Sequence, residues 1–241
     1  MIAVILAGGL GTRLKPFTEV IPKPLLPIGE KALLEIQIEY LKSHGFATIF
    51  LCTYYKSEYI RNFFGDGSRY GVNLSIVKEE KPLGTAGPIK LIGDQLDSPF
   101  ILMNGDILTQ FDISAMYAFA ISHKCCLTIG TKEIITRSPF GKITFDGDYV
   151  AGIEEKPDVK TTILAGICVL KPEILDLIPP AEYFGMDTLI KSMIAMKMPI
   201  AHYPIEDDWL DIGRIEDYER AQMIYKERFE NGNGAPTNEH K

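Results

Sequence analysis

Cysteine and histidine are scarce in this chain and do not cluster. Cys52, Cys125, Cys126 and Cys168 form no C-x-x-C pair, and His44, His123, His202 and His240 are scattered through the 241 residues. That argues against a zinc site and against a disulfide framework, and it fits a cytoplasmic protein in a reducing compartment. Positive charge is also short. Lysine and arginine total 25 against 32 acidic residues, for a formal net charge of -7. General binding to nucleic acid or to an acidic membrane needs a basic surface. Neither partner is expected, and an anionic ligand would need a few basic side chains gathered in one place. Long hydrophobic runs are missing too. Ile2 to Ala7 is too short to cross a bilayer and lacks the basic start and cleavage pattern of a signal peptide. No internal repeat and no linker divides the chain.

Hydrophobic residues at 46% and charged residues at 24% suit one soluble globular domain with a sizeable core. Apolar strand-like runs alternate with helical patterns through the first half. "IAVIL", "TIFLCT", "NLSIVKE" and "PFILMNGD" read as strands. "ALLEIQIEYLKSHG", a stretch near Ser57 to Phe64, and "ISAMYAFAISHK" read as helices, the first closed by Gly45. Such alternation implies right-handed βαβ units and a parallel sheet. The second half is less regular. A hairpin is expected around Asp146-Gly147-Asp148, then a strand in "ILAGICVL", then helices in "MDTLIKSMIAMK" and "IEDYERAQMIYKERF". One domain is expected over residues 1–230. Residues 231–241 lack apolar side chains to pack and read as a disordered tail.

The first strand breaks into Gly8-Gly9-Leu10-Gly11-Thr12-Arg13, and a second basic element, Pro22-Lys23-Pro24, follows. A dinucleotide fingerprint would need a small residue where Leu14 stands. A Walker loop would need Gly-Lys-Ser/Thr where Arg13 and Leu14 stand. The physics of anion binding remains available without either. Glycines let backbone N–H groups approach phosphate oxygens, and Arg13 adds a permanently charged fork suited to phosphoryl oxygens. A plain turn with a surface arginine is the competing reading.

The stretch "LAGGLGTRLKPFT…PKPLLPIG" resembles the G-G-x-G-T-R-L…P-K-P signature of the sugar-phosphate nucleotidyltransferases, the NDP-sugar pyrophosphorylases. "EEKPLGTAGPI", "MNGD", "FGKI", "EEKP", "LAGICVL" and "WLDIGR" continue that pattern in order, from residue 1 to about 225. Within the family the chain looks most like the guanylyltransferases for mannose and heptose 1-phosphates. The resemblance implies a Rossmann-like α/β fold: a mixed, mainly parallel sheet flanked by helices, with an inserted β-hairpin region that binds the sugar. It implies a nucleoside triphosphate and a sugar 1-phosphate as partners, with Mg²⁺ as cofactor. Association into homo-oligomers is compatible with this reading. No left-handed β-helix repeat follows "WLDIGR", so a short single-domain member is expected.

The implied reaction joins the two substrates and releases pyrophosphate. The attacking phosphate oxygen is already ionised at neutral pH, so no general base is needed; positioning and charge neutralisation carry the catalysis. By resemblance, Asp106 and Asp211 hold Mg²⁺, and two carboxylates suffice for an ion that keeps waters and substrate phosphates. A turn or cap role for Asp106, and a local ion pair with Arg214 for Asp211, are the competing readings. Arg13 and Lys23 would act on the phosphates, the latter from a loop stiffened by flanking prolines. Leu6, Ala7, Gly8, Gly9, Gly11 and Thr12 would line the nucleotide. Lys156 would bind the sugar phosphate, Glu155 and Gly166 the sugar, and Gly141 would let the sugar approach the backbone; a solvated charge run is the alternative for the Glu154-Glu155-Lys156 triplet.

Gly84 and Thr85 are expected at a helix start that cradles base and ribose, preceded by Glu79 and Glu80. Guanine presents adjacent N1–H and N2–H₂ donors, and one carboxylate accepts both, whereas uracil and thymine set carbonyls beside their single N–H. A glutamate here leans toward GTP, with an exposed acidic strand end as the competing reading; CTP, UTP or dTTP, and a catalytically silent subunit with the same fold, are the alternatives. Where many relatives have Asn-Ala-Gly this chain has Leu164-Ala165-Gly166, so mannose is not assumed.

Overall fold

A computed structural model describes residues 1–228. The expected tail, 231–241, and the last residues assigned to the domain, 229–230, lie outside the described residues. In chain order the strands are β1 (Ile2–Leu6), β2 (Pro27–Ile28), β3 (Lys31–Ala32), β4 (Thr48–Thr53), β5 (Asn73–Lys78), β6 (Phe100–Asn104) and β7 (Ile107–Thr109). They continue with β8 (Leu127–Arg137), β9 (Lys142–Asp146), β10 (Tyr149–Glu154), β11 (Asp158–Leu170), β12 (Ile200–Pro204) and β13 (Trp209–Asp211). The helices are α1 (Phe17–Val20), α2 (Leu33–Ser43), α3 (Ser57–Phe64), α4 (Ile113–Ser122), α5 (Met186–Ala195) and α6 (Ile215–Arg228).

The central strands are apolar on both faces because helices cover both. Ala3 and Ile5 of β1 face one core layer and Val4 the other. Ile49 and Leu51 alternate in the same way with Phe50 and Cys52, and Ile101 and Met103 with Phe100 and Leu102. Helices α2, α3 and α4 fill the first layer through Leu34, Ile38, Leu41, Ile60, Phe64, Ile113 and Met116. The second is filled by α5 and two 3₁₀ segments, Gly87–Gln95 and Pro172–Leu177. Local signals set the helix ends. Asp112 accepts from Ala115 N at 3.0 Å and starts α4, and Gly45 takes φ +84° just after α2, a conformation that favours glycine.

The seven-stranded sheet runs β12-β8-β11-β6-β1-β4-β5, with β11 antiparallel to both neighbours and the other strands parallel to one another. From β1 the chain moves out to β4 and β5, then returns to β6 on the other side of β1. The order therefore reverses between β1 and β6. Ligands in open α/β sheets bind outside the carboxyl ends of the strands at such a point.

The β8–β11 pairing slips, from Leu164 opposite Thr131 to Cys168 opposite Ile129. The bulged residues Ala165-Gly166-Ile167 mark where the pair leaves the sheet. Beyond them β8 and β11 continue as an exposed ribbon, and the β9–β10 hairpin lies between them in sequence. This is the inserted hairpin region expected from the sequence.

Candidate active site

The loop ends at the switch point are gathered by a third apolar cluster. It contains Leu14, Leu26, Ile28, Leu33, Ile36, Leu108, Leu210, Ile212, Ala221 and Tyr225. Leu14 follows Arg13, Leu26 lies three residues after Lys23, Leu108 two after Asp106, and Leu210 and Ile212 flank Asp211. Each charged residue is thus tethered by a near chain neighbour whose apolar side chain is buried in the same small core. Burial of one such side chain is worth about 1.5–3 kcal/mol. Helix α6 closes the cluster from outside. Tyr218 Oη and Gln222 Nε2 donate to Pro27 O at 2.7 and 2.6 Å, and Gly29 N donates to Gln222 Oε1 at 2.8 Å.

Asp106 and Asp211, 105 positions apart in the sequence, become neighbours through the β7–β13 ladder. Asp211 pairs with Ile107, and Ile212 N donates to Asp106 O at 2.9 Å. Lys23 Nζ reaches Asp106 Oδ2 at 2.6 Å, with the lysine side chain only 10% exposed. Arg13 stands on the Asp211 side. A Cβ built on Gly213 would lie 3.3 Å from its Nη2 and 3.5 Å from Asp211 Oδ1. Gly213, absent from the sequence-derived site, leaves room for that guanidinium.

Burial raises the Asp211 carboxyl above its usual range, and Asp106 beside it raises it further; Lys23 and Arg13 pull it back. Asp106 lies in the turn between β6 and β7, as one competing reading expected, but it caps no helix. Asp106 turns its carboxylate to Lys23 rather than to a helix end, and the basic groups acting on Asp211 are Lys23 and Arg13, not Arg214. Asp106 Oδ1 and Asp211 Oδ1 are buried with no hydrogen-bond partner among the described residues. Two unpartnered anionic oxygens on adjacent carboxylates suit a hard divalent cation that completes its shell with water and phosphate oxygens.

The glycine loop lies between these carboxylates and the Glu79 side. Gly11 has φ +62°, and its carbonyl accepts from Leu14 N at 2.9 Å and Thr18 Oγ1 at 2.8 Å. Thr12 and Arg13 sit in the single 3₁₀ turn that follows and are exposed. Gly9 is exposed, Leu6 and Gly8 are half-buried and Ala7 is buried.

Of the two glutamates, Glu79 is buried at 5% exposure and Glu80 is exposed. Glu79 Oε2 accepts from Leu83 N at 3.0 Å, and a Cβ on Gly8 would come within 2.8 Å of its Oε1. The carboxylate therefore lies directly against the glycine loop. Burial raises its pKa, with the Leu83 N–H acting in the opposite direction.

The expected helix start at Gly84 and Thr85 needs correction. The 3₁₀ segment begins at Gly87. The N–H groups of Ala86 and Gly87 both donate to Phe184 O at 2.9 Å, so they do not point outward. Thr85 Oγ1 accepts from Met186 N at 2.8 Å and so caps α5. Gly84 has φ +83°, and a Cβ there would strike Phe184 O at 2.7 Å. The two residues fasten this loop to the start of α5.

On the other side, Gly166 at φ +69° faces the Asn104 side chain; a Cβ there would lie 2.7 Å from Nδ2. Trp209 Nε1 donates to Ala165 O at 2.8 Å, which ties the bulge to the strand carrying Asp211. Gly141 and Glu155 stand together at the base of the hairpin, where a Cβ on Gly141 would be 3.2 Å from Glu155 Oε2. Glu155 and Lys156 are exposed, and Lys156 has φ +49°. Of the residues expected on the sugar, Gly141, Glu155 and Lys156 are thus carried by the ribbon and hairpin, and Gly166 lies at the bulge beside Asn104.

The family model described as nucleotidyl transferase matches residues 2–228. The chain belongs to this family. It is 32% identical to a UTP–glucose-1-phosphate uridylyltransferase of Synechocystis sp., over 92% of this chain and 62% of that protein. It is 31% identical to a mannose-1-phosphate guanyltransferase of Saccharomyces cerevisiae, over 93% of this chain and 64% of that protein. The chain thus spans less than two thirds of the length of these nucleotidyl transferases. The solved structure of HddC from Yersinia pseudotuberculosis is 31% identical, with a TM-score of 0.73 over 93% of this chain and 99% of that one. HddC has also been solved complexed with GMP-PN. The α/β architecture with its mainly parallel sheet is that of the family. No described helix is long and apolar enough to cross a membrane.

Proposed function

We propose that this chain transfers a nucleotidyl group from a nucleoside triphosphate, GTP foremost, to a sugar 1-phosphate and releases pyrophosphate. The observation that carries the reading is the convergence of Arg13, Lys23, Asp106 and Asp211 at the switch point. A sugar-phosphate oxygen attacks the α-phosphorus, the bond from that phosphorus to the β-phosphate oxygen breaks, and the electron pair leaves on pyrophosphate. No proton need be removed from the nucleophile. The chain's task is to hold two polyanions in line and to offset charge as it moves to the leaving group.

Arg13 is assigned to the leaving pyrophosphate, and the glycine-loop backbone to the triphosphate. Lys23, held by Asp106, presents its remaining ammonium protons toward the phosphates from a stiff, buried loop. Asp106 and Asp211 would hold Mg²⁺, which supplies Lewis-acid neutralisation of phosphate oxygens when bound. Glu79, buried against Gly8, is assigned to guanine's paired donors. The likeness to guanyl- and uridylyltransferases alike leaves the reading of the base to such local chemistry. Gly141, Glu155, Lys156 and Gly166 are assigned to the sugar phosphate. Four free thiols, three of them buried, suit a reducing cytoplasm.

The deciding experiment offers the protein GTP, CTP, UTP and dTTP with a panel of hexose and heptose 1-phosphates and records pyrophosphate release. Release with GTP and one sugar phosphate is expected. Silence with every pair would support a non-catalytic subunit instead. Lys156→Ala should raise KM for the sugar phosphate with little change in kcat, because the exposed lysine would hold a group bound alike in ground and transition states. Arg13→Ala should do the reverse and lower kcat. An unchanged sugar-phosphate KM in Lys156→Ala would remove that lysine from the site.

A further inference from the structure

Gln37 occupies a place in α2 where the core-facing stripe calls for an apolar side chain. It falls among Leu34, Ile38 and Leu41 and is 2% exposed. An amide buried without partners is destabilising, so its contacts should account for it. Nε2 donates to Asn104 O at 3.0 Å and to Ile107 O at 2.7 Å. These carbonyls lie on either side of Gly105-Asp106. The amide cannot be reversed, since Oε1 would then face two carbonyl oxygens. In its present orientation Oε1 is buried with no hydrogen-bond partner among the described residues. A leucine or methionine at this position would leave no such orphan. The side chain is therefore explained by its two donors and by the loop they hold.

The rest of the loop fits the same purpose. Gly105 N donates to Leu6 O at 2.9 Å, and a Cβ on Gly105 would lie 2.7 Å from that oxygen. The tip is pressed onto the end of β1 on one side and clamped from α2 on the other. Ile212 N then joins the Asp106 carbonyl to the segment after Asp211 at 2.9 Å. We infer that Gln37 is a positioning residue: by bridging Asn104 and Ile107 it fixes the direction of the Asp106 carboxylate, and with it the affinity of the carboxylate pair for a divalent cation. The inference rests on the nucleotidyl-transfer reading above. Groups that orient metal-binding side chains typically change affinity or activity by about 10–100-fold when removed.

The test uses the full chain and Mn²⁺, titrated by electron paramagnetic resonance without nucleotide, alongside thermal midpoints. Gln37→Met keeps the volume and removes both donors. Gln37→Glu keeps the shape and sets acceptors against the carbonyls. Leu41→Ala destabilises the same helix without touching the loop, and Asp106→Asn serves as the reference for a lost ligand. Both Gln37 variants should bind Mn²⁺ about tenfold or more weakly. Leu41→Ala should stay within about twofold of the unsubstituted protein despite a lowered thermal midpoint from the cavity it leaves. If the unsubstituted protein binds better than Asp106→Asn while the Gln37 variants match the unsubstituted protein, the positioning role fails and the two-carboxylate reading stands. A weakening in Leu41→Ala equal to that in Gln37→Met would also overturn it, by making the effect a matter of stability. Equal binding by the unsubstituted protein and Asp106→Asn would overturn the carboxylate reading and this inference together.

Discussion

Asp106→Asn and Asp211→Asn should each lower turnover by at least about a hundredfold, nearly 3 kcal/mol of transition-state stabilisation. Their stabilities should move in opposite directions. Asp211 is half-buried and its carboxyl is raised, by burial first and by Asp106 next. A raised carboxyl binds its proton more tightly in the folded chain than in the unfolded one. The folded state therefore loses stability as pH climbs from the unfolded carboxylate range through the raised folded value. Asparagine removes this penalty. Asp211→Asn should melt higher than the parent above the raised folded value, with the gap closing as pH falls from that value to the ordinary carboxylate range. Asp106→Asn should melt lower, because it leaves the buried Lys23 ammonium without its 2.6 Å partner. Pyrophosphate release and thermal midpoints measured across pH would check both halves. Near-normal kcat in either variant would sink the assignment. A lower midpoint for Asp211→Asn would mean that its attraction to Lys23 and Arg13 outweighs its burial and its repulsion by Asp106.

Glu79→Gln should lower kcat/KM for GTP by about ten- to a hundredfold, while activity with UTP or dTTP holds steady or rises. Glu79, not Glu80, is the side chain buried against Gly8. Of its two oxygens, Oε2 takes the Leu83 N–H at 3.0 Å, and Oε1 is the one nearest the glycine loop. An amide in its place offers one acceptor and one donor. It mismatches one of guanine's paired donors and matches the alternating groups of uracil or thymine. A charge-assisted hydrogen bond is worth about 1.5–3 kcal/mol, which sets the size of the loss. Glu80→Gln serves as the control and should leave the preference unchanged. If Glu79→Gln also kept full preference for GTP, the base would be read by backbone groups instead. The raised carboxyl of Glu79 adds a stability effect of the same sign as for Asp211: the amide should raise the thermal midpoint at neutral pH.

Much of the architecture is legible in local pattern. Strands β1, β4, β5, β6 and β11, helices α2 to α6 and the Asp146-Gly147-Asp148 hairpin rest on periodicity and turn chemistry, which are properties of neighbouring residues. Strand β8 is missing from that reading because its outer half, through Arg137, is exposed and lacks a buried face to advertise. The short strands β7 and β13 are missing because three residues carry no period. Yet their pairing is what sets Asp211 beside Asp106.

The sequence alone determined which residue types were available for phosphate chemistry, and the order of the segments that carry them. Only the tertiary structure decided which groups meet. It buried Glu79 and left Glu80 exposed, placed Lys23 on Asp106, and set the Thr85 hydroxyl against Met186 N at the start of α5. It also gave Gly213, inside the "WLDIGR" motif, its place beside Arg13, and revealed Gln37, which no local signal marks. The reason is physical. A strand or helix is encoded by contacts a few residues apart, whereas the site is assembled by one apolar cluster that draws together positions from Leu14 to Tyr225. That convergence depends on burial across the whole chain, and no stretch of sequence carries it alone.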